Sequence, residues 1–161
     1  MNNVEVCLSE TIEVIEEILA SGGEFRMYPR GRSMRPYIVE GRDSVVLVKR
    51  SPQDIRRYDM LFYRRANGRF VLHRLLKIEK DGTYTMCGDA QVILEKGIRP
   101  EQVIGCVQSM YRKERLVTLH SLWDWLYVRV WSWIFLRRCA LFVARMPRRL
   151  ARIFRFKKGE N

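Results

Sequence analysis

The chain has 161 residues, 47% of them hydrophobic, which is enough for one ordinary domain with a substantial core. Its net charge of +12 predicts an anionic partner, either a nucleic acid or a membrane surface. The four cysteines are scattered and have no histidine at ligand spacing, which argues against a metal site and a disulfide framework. We therefore expect free, buried thiols, no metal and no cofactor.

The first region, residues 1–22, has the pattern of a short amphipathic helix. Leu8, Ile12, Ile15 and Leu19 recur at helical spacing with glutamates between them. The segment Ser21-Gly22-Gly23 predicts the end of this helix. The acidic start of the chain does not resemble a signal peptide.

The second region, residues 23–116, has the composition of a β-domain. Two dipeptides, Asn67-Gly68 and Asp81-Gly82, predict tight hairpin turns. The predicted fold is mostly β, a coiled β-sheet in the form of a half-barrel or sandwich, with helices before and after it. Five runs rich in β-branched and aromatic residues predict its strands: 44–49, 60–64, 69–77, 83–87 and 103–111.

The third region, residues 117–161, combines tryptophans with arginines and predicts basic amphipathic helices. Its apolar run Leu122–Leu136 would measure only about 22 Å as a helix, against about 30 Å of bilayer hydrocarbon. Asp124 and Arg129 interrupt that run. Such a charged segment is either a solvated face, a nucleic-acid contact or a membrane contact. We expect residues 117–158 to lie on an anionic membrane, since aromatic rings and guanidinium groups both suit that interface.

The segment Gly31-Arg32-Ser33-Met34-Arg35-Pro36 contains a candidate nucleophile. A serine hydroxyl needs a base to remove its proton and backbone donors to hold the oxyanion. Gly31 permits a sharp turn that would aim backbone amides at a bound carbonyl. A purely structural turn is the alternative interpretation of this segment.

A candidate base and two candidate acids follow the serine. His73 lies inside a predicted strand, and its ordinary pKa suits a general base near neutral pH. Asp89 and Glu95 are carboxylates that could orient it. The competing interpretations are a hydrogen-bonded core histidine and a structural Gly88-Asp89 turn.

Taken in order, these segments resemble the type I signal peptidases and the related LexA-type self-cleaving repressors over residues 25–110. The resemblance rests on Ser33-Met34, the segment 58–62, His73-Arg74, Gly88-Asp89 and the segment 103–105. Bacterial members mostly place a lysine at the base position. The histidine at this position resembles the microsomal and archaeal type.

The resemblance implies a serine endopeptidase in which Ser33 is the nucleophile and His73 the base. Either Asp89 or Glu95 would be the orienting acid, with neither preferred. Oxyanion and substrate contacts would come from the serine segment: Gly31, Arg32, Met34, Pro36 and above all the Ser33 amide. The membrane anchor usual in signal peptidases and the DNA-binding domain of a repressor have no counterpart in residues 1–22.

The expected substrate is a peptide or protein precursor near the cytoplasmic face of a prokaryotic inner membrane, and no specific nucleic acid is expected. Two other functions remain open. One is a catalytically idle relative that binds a peptide strand at its sheet edge. The other is a regulatory protein that cleaves itself near Ala20–Gly23.

Overall fold

A computed structural model describes residues 8–119 and 121–131, which form an open antiparallel sheet of eight strands with a helix on either side in the chain. This confirms the mostly-β prediction. The strand order is β1-β2-β7-β3-β4-β5-β6, and β8 pairs with β7. The elements are α1 Leu8–Ala20, β1 Phe25–Met27, β2 Asp43–Val48, β3 Met60–Arg64, β4 Phe70–Ile78, β5 Tyr84–Cys87, β6 Glu95–Ile98, a 3₁₀ turn Pro100–Gln102, β7 Val103–Arg112, β8 Arg115–Val117 and α2 Leu122–Trp131.

All five predicted strands are present, with ends that shift by at most one residue. The β3–β4 and β4–β5 pairs are hairpins closed at Gly68 and Gly82, which have φ values of 78° and 81° that glycine adopts without strain. Sequence analysis missed β1, β6 and β8. These strands have only three or four residues, and pairing with a neighbouring strand rather than composition makes them extended.

Helix α1 ends where the sequence predicted. Ile12, Ile15 and Leu19 are buried on one face, as their spacing required. Gly22 has a φ of 82°, and the Gly23 amide donates to the carbonyl of Ile18 over 2.9 Å, which ends the helix. The helix therefore covers the sheet with its apolar face.

The core divides into two clusters on opposite faces of the sheet. The first contains the buried face of α1, Leu72 on β4, and Met34, Tyr37 and Ile38 from the segment after Ser33. The second is built around Tyr63, Leu75 and Met86. Because side chains alternate along a strand, β4 directs Leu72 and Arg74 to one face and His73 and Leu75 to the other.

The third region contains the helix α2, but the predicted basic amphipathic helices of residues 117–161 are not confirmed, because residues 132–161 lie outside the described residues. Cys87 and Cys106 are buried thiols, as expected, and Cys7 and Cys139 lie outside the described residues. Within residues 8–119 and 121–131, no helix is both long and apolar enough to span a membrane.

Close packing between α1 and the sheet makes Gly105 a test of the fold. A Cβ atom at this position would lie 2.9 Å from Leu19 Cδ1 and 3.3 Å from Leu47 Cβ. We expect Gly105→Ala to lower the free energy of unfolding by about 1–3 kcal/mol, because an extra methyl group overpacks the core. Urea denaturation measures this, with Ser109→Ala on the same strand as control. Equal stability of the two variants would contradict this packing.

Candidate active site

The serine segment forms a turn that is anchored in the first core cluster. The Ile38 amide donates to the Met34 carbonyl over 2.9 Å, and both side chains are buried. Tyr37 is buried beside them. Ser33 stands just before this turn and is half-buried. The apolar residues after Ser33 thus fix its backbone, while its side chain stays near the surface.

Gly88 lies where the serine segment approaches the candidate base, His73. The Ala90 amide donates to the Ser33 carbonyl oxygen over 2.7 Å. A Cβ atom at position 88 would lie 2.6 Å from that oxygen and 3.0 Å from His73 Nε2, so only glycine fits without displacing them. The Ser33 carbonyl oxygen and His73 Nε2 are therefore no farther apart than the sum of these two distances.

Among the described residues, no hydrogen bond joins the Ser33 hydroxyl to His73. The structure thus brings the two predicted residues into one place without a direct bond between their side chains. Catalytic hydrogen bonds are often long in enzymes without substrate and tighten when substrate binds.

His73 is 1% exposed and its ring is held from the Nδ1 side. Nδ1 lies 3.2 Å from Glu95 Oε1 and 3.2 Å from the Tyr63 hydroxyl oxygen. The Tyr63 hydroxyl donates to Glu95 Oε2 over 2.8 Å. A carboxylate only accepts hydrogen bonds, so this arrangement favours the tautomer with its hydrogen on Nδ1 and a free lone pair on Nε2. That lone pair is on the nitrogen nearest Gly88.

Burial keeps the His73 ring neutral. Burial lowers the pKa of His73, Glu95 partly opposes this, and the positive charge of Arg65 reinforces it. Burial alone would raise the pKa of Glu95, but hydrogen bonds from Arg65 and Tyr63 outweigh burial and keep that pKa below its usual value. The site therefore contains a neutral imidazole beside an ionised carboxylate at pH 7.

Asp89, the other candidate acid, has a different partner. It is fully buried and receives two hydrogen bonds from Arg74, from Nε over 3.1 Å and from Nη2 over 2.9 Å. Arg74 also donates to the Tyr58 carbonyl over 3.1 Å. Of the two carboxylates that the sequence could not separate, Glu95 contacts the His73 ring and Asp89 neutralises a buried guanidinium.

The remaining predicted site residues differ in exposure and in hydrogen bonding. Arg32 and Pro36 are exposed. The Met34 side chain is in the core, which leaves only its backbone for a substrate. The Gly31 amide donates to Glu40 Oε2 over 3.0 Å and so already has an acceptor. No protein acceptor engages the Ser33 amide within the described part of the chain, and it stays the predicted oxyanion donor.

Sequence analysis missed two residues of this site, Tyr63 and Arg65. Arg65 donates through both Nε and Nη2 to the Glu95 carboxylate, with a distance of 2.8 Å for Nε. The available signal was a tyrosine on the buried face of a predicted strand, since a buried hydroxyl needs a partner. The sequence did not indicate that this partner is Glu95, because β6, which begins at Glu95, was not predicted.

One cavity in the described structure borders the Arg74 side of the site and does not reach the candidate dyad. It measures about 160 Å³ and lies between α2 and the sheet, with Val107, Val128 and Arg74 in its wall. Neither Ser33 nor His73 lines it. We assign the candidate site from the arrangement of side chains and not from this cavity.

Searches of protein-family models, curated proteins and solved structures found no match to this chain in any of the three.

The two carboxylates should respond differently to neutralisation. Asp89→Asn leaves the buried Arg74 charge without its counter-charge, so we expect a loss of about 3–5 kcal/mol in the free energy of unfolding. Glu95→Gln should cost at most about 1 kcal/mol, because its pair with Arg65 is partly exposed. Urea denaturation measures both, with the exposed Asp54→Asn as control. A larger loss for Glu95→Gln would contradict these roles.

Proposed function

We propose that the chain is a serine endopeptidase of the signal-peptidase type with a histidine base, acting on a peptide or protein precursor near a membrane. The observation that carries this proposal is the junction at Gly88, where the backbone of Ser33 and the Nε2 atom of His73 meet. The carboxylate of Glu95 on the opposite side of the ring adds support.

The arrangement suits acyl transfer. His73 Nε2 takes the proton of Ser33 Oγ as the oxygen bonds to the scissile carbonyl carbon, and the Ser33 amide donates to the resulting oxyanion. The carbon–nitrogen bond breaks as His73 returns the proton to the leaving amine. His73 then deprotonates a water that attacks the acyl carbon, and it returns this proton to Ser33 Oγ as the ester bond breaks, while Glu95 stabilises the imidazolium in both steps.

The positions of the motifs also favour the signal-peptidase type. The serine segment follows β1, His73 is on β4, Asp89 follows β5 and Glu95 begins β6. The last three of these strands are neighbours in the sheet, which suits a site assembled from motifs in this order along the chain. We include residues 117–158 in this proposal as its membrane-binding part.

The exposed side chains on one face of α2 support contact with an anionic membrane. Four large apolar side chains lie on this face, and the guanidinium of Arg129 lies among them, 4.5 Å from one indole ring centroid. Apolar side chains beside a cation suit the lipid headgroup region. We place the protein at the cytoplasmic face of a prokaryotic inner membrane. The four side chains and their exposed fractions are Leu122 76%, Trp125 50%, Leu126 44% and Val130 48%.

The dyad can be tested with a serine-directed phosphonate and a peptide substrate. We expect the phosphonate to label Ser33, and Ser33→Ala and His73→Ala each to lower peptide cleavage by at least about 10³-fold. The double variant should lose little more than either single one, because the two residues act together. The exposed Ser51→Ala is the control. Unlabelled native protein, or native cleavage by Ser33→Ala, would refute the peptidase assignment.

Membrane contact can be tested by vesicle flotation. We expect binding that requires anionic lipid and weakens with added salt. Leu126→Glu should weaken it by at least roughly tenfold, since it replaces an apolar contact with a repelled charge. Val14→Glu, at an exposed apolar position of α1, is the matched control. Equal effects of both variants would contradict the assigned face, and binding to neutral vesicles that survives alkaline carbonate would indicate insertion instead.

A further inference from the structure

A closed ring of contacts joins helix α2 to the candidate active site. The Asp89 carboxylate binds Arg74, whose guanidinium lies 4.8 Å from the centre of the Tyr37 ring. Tyr37 stacks on Tyr127 at 5.2 Å, and Tyr127 stacks on Trp131 at 5.8 Å. Trp131 Nε1 then donates to the Asp89 carbonyl oxygen over 2.7 Å, which closes the ring.

The three residues of this ring that are not on α2 are each close in sequence to a candidate catalytic group. Tyr37 belongs to the turn that begins directly after Ser33. Arg74 follows His73 on β4, and Asp89 follows Gly88, which separates the Ser33 carbonyl from His73 Nε2. The ring thus connects the serine segment, the base strand and the loop that spaces them.

The members contributed by α2 are suited to hold these segments still. Stacked aromatic rings have few rotatable bonds and a preferred geometry, so they limit sliding of one segment past another. The indole N–H of Trp131 donates to the carbonyl oxygen of the buried Asp89, and a buried carbonyl without a donor would be unfavourable. A displacement of about 1 Å in a catalytic group can lower a reaction rate by about a hundredfold.

We propose that Tyr127 and Trp131 are positioning residues of the active site, so that α2 is a working part of the catalytic centre. This inference rests on the proposed peptidase function. It differs from a simple covering role, in which any buried residue of α2 would matter equally. Val128 offers the comparison, because it is buried on the same helix but is not part of the ring.

The experiment measures phosphonate labelling of Ser33 in the full chain, recording both the rate constant and the final fraction labelled. We expect Tyr127→Leu and Trp131→Leu to slow labelling by about tenfold or more while the final fraction stays complete. Trp131→Phe keeps a stacking ring but lacks the N–H, so its rate should be intermediate. Val128→Ala should lower the melting temperature and label at the native rate.

The outcomes separate this inference from the proposed function. If the native protein is not labelled at Ser33, the peptidase proposal fails. If the native protein is labelled and the variants of Tyr127 and Trp131 match its rate, the positioning role alone is overturned. An equal slowing in Val128→Ala would also overturn it. If a leucine variant does not fold, Trp131→Phe, which keeps an aromatic side chain at this position, is the test. A labelling rate below the native one supports the positioning role, and the native rate overturns it.

Discussion

The arrangement of the candidate site depends on the buried ion pair between Arg74 and Asp89. Both groups are almost fully buried, and a buried charge without a partner is strongly unfavourable, so the two side chains must stay together. The pair therefore holds β4 against the loop that contains Gly88. Because His73 is the neighbour of Arg74 and Gly88 is the neighbour of Asp89, the same constraint sets where the imidazole of His73 approaches the backbone of Ser33.

The two carboxylates illustrate how environment assigns a role to a residue type. Alternation along β4 directs Arg74 and His73 to opposite faces of the sheet, and each face supplies its own acid. Asp89 is committed to the guanidinium. Glu95 is free to contact the imidazole, and Arg65 and Tyr63 keep it ionised and in place. A neutral histidine next to an ionised carboxylate suits general-base chemistry.

Much of the fold was predictable because its signals are local. The five predicted strands, both hairpins and α1 follow from composition, turn dipeptides and helical spacing. The choice between Asp89 and Glu95 was not predictable, because it depends on strand register and on which face a side chain occupies. Tyr63 and Arg65 were missed for the same reason, since their partner Glu95 is on a short strand with no sequence signal. The basic segment after Trp131 stays a prediction.

The most direct test of this account is the protonation state of the His73 ring, measured by ¹⁵N nuclear magnetic resonance. The chain has two histidines, so the variant His120→Gln leaves His73 as the only signal. We expect the hydrogen on Nδ1 and a bare Nε2 at pH 7, with a titration below the ordinary histidine pKa of about 6.5. A hydrogen on Nε2, or a titration at or above the ordinary value, would contradict the assignment of His73 as the base.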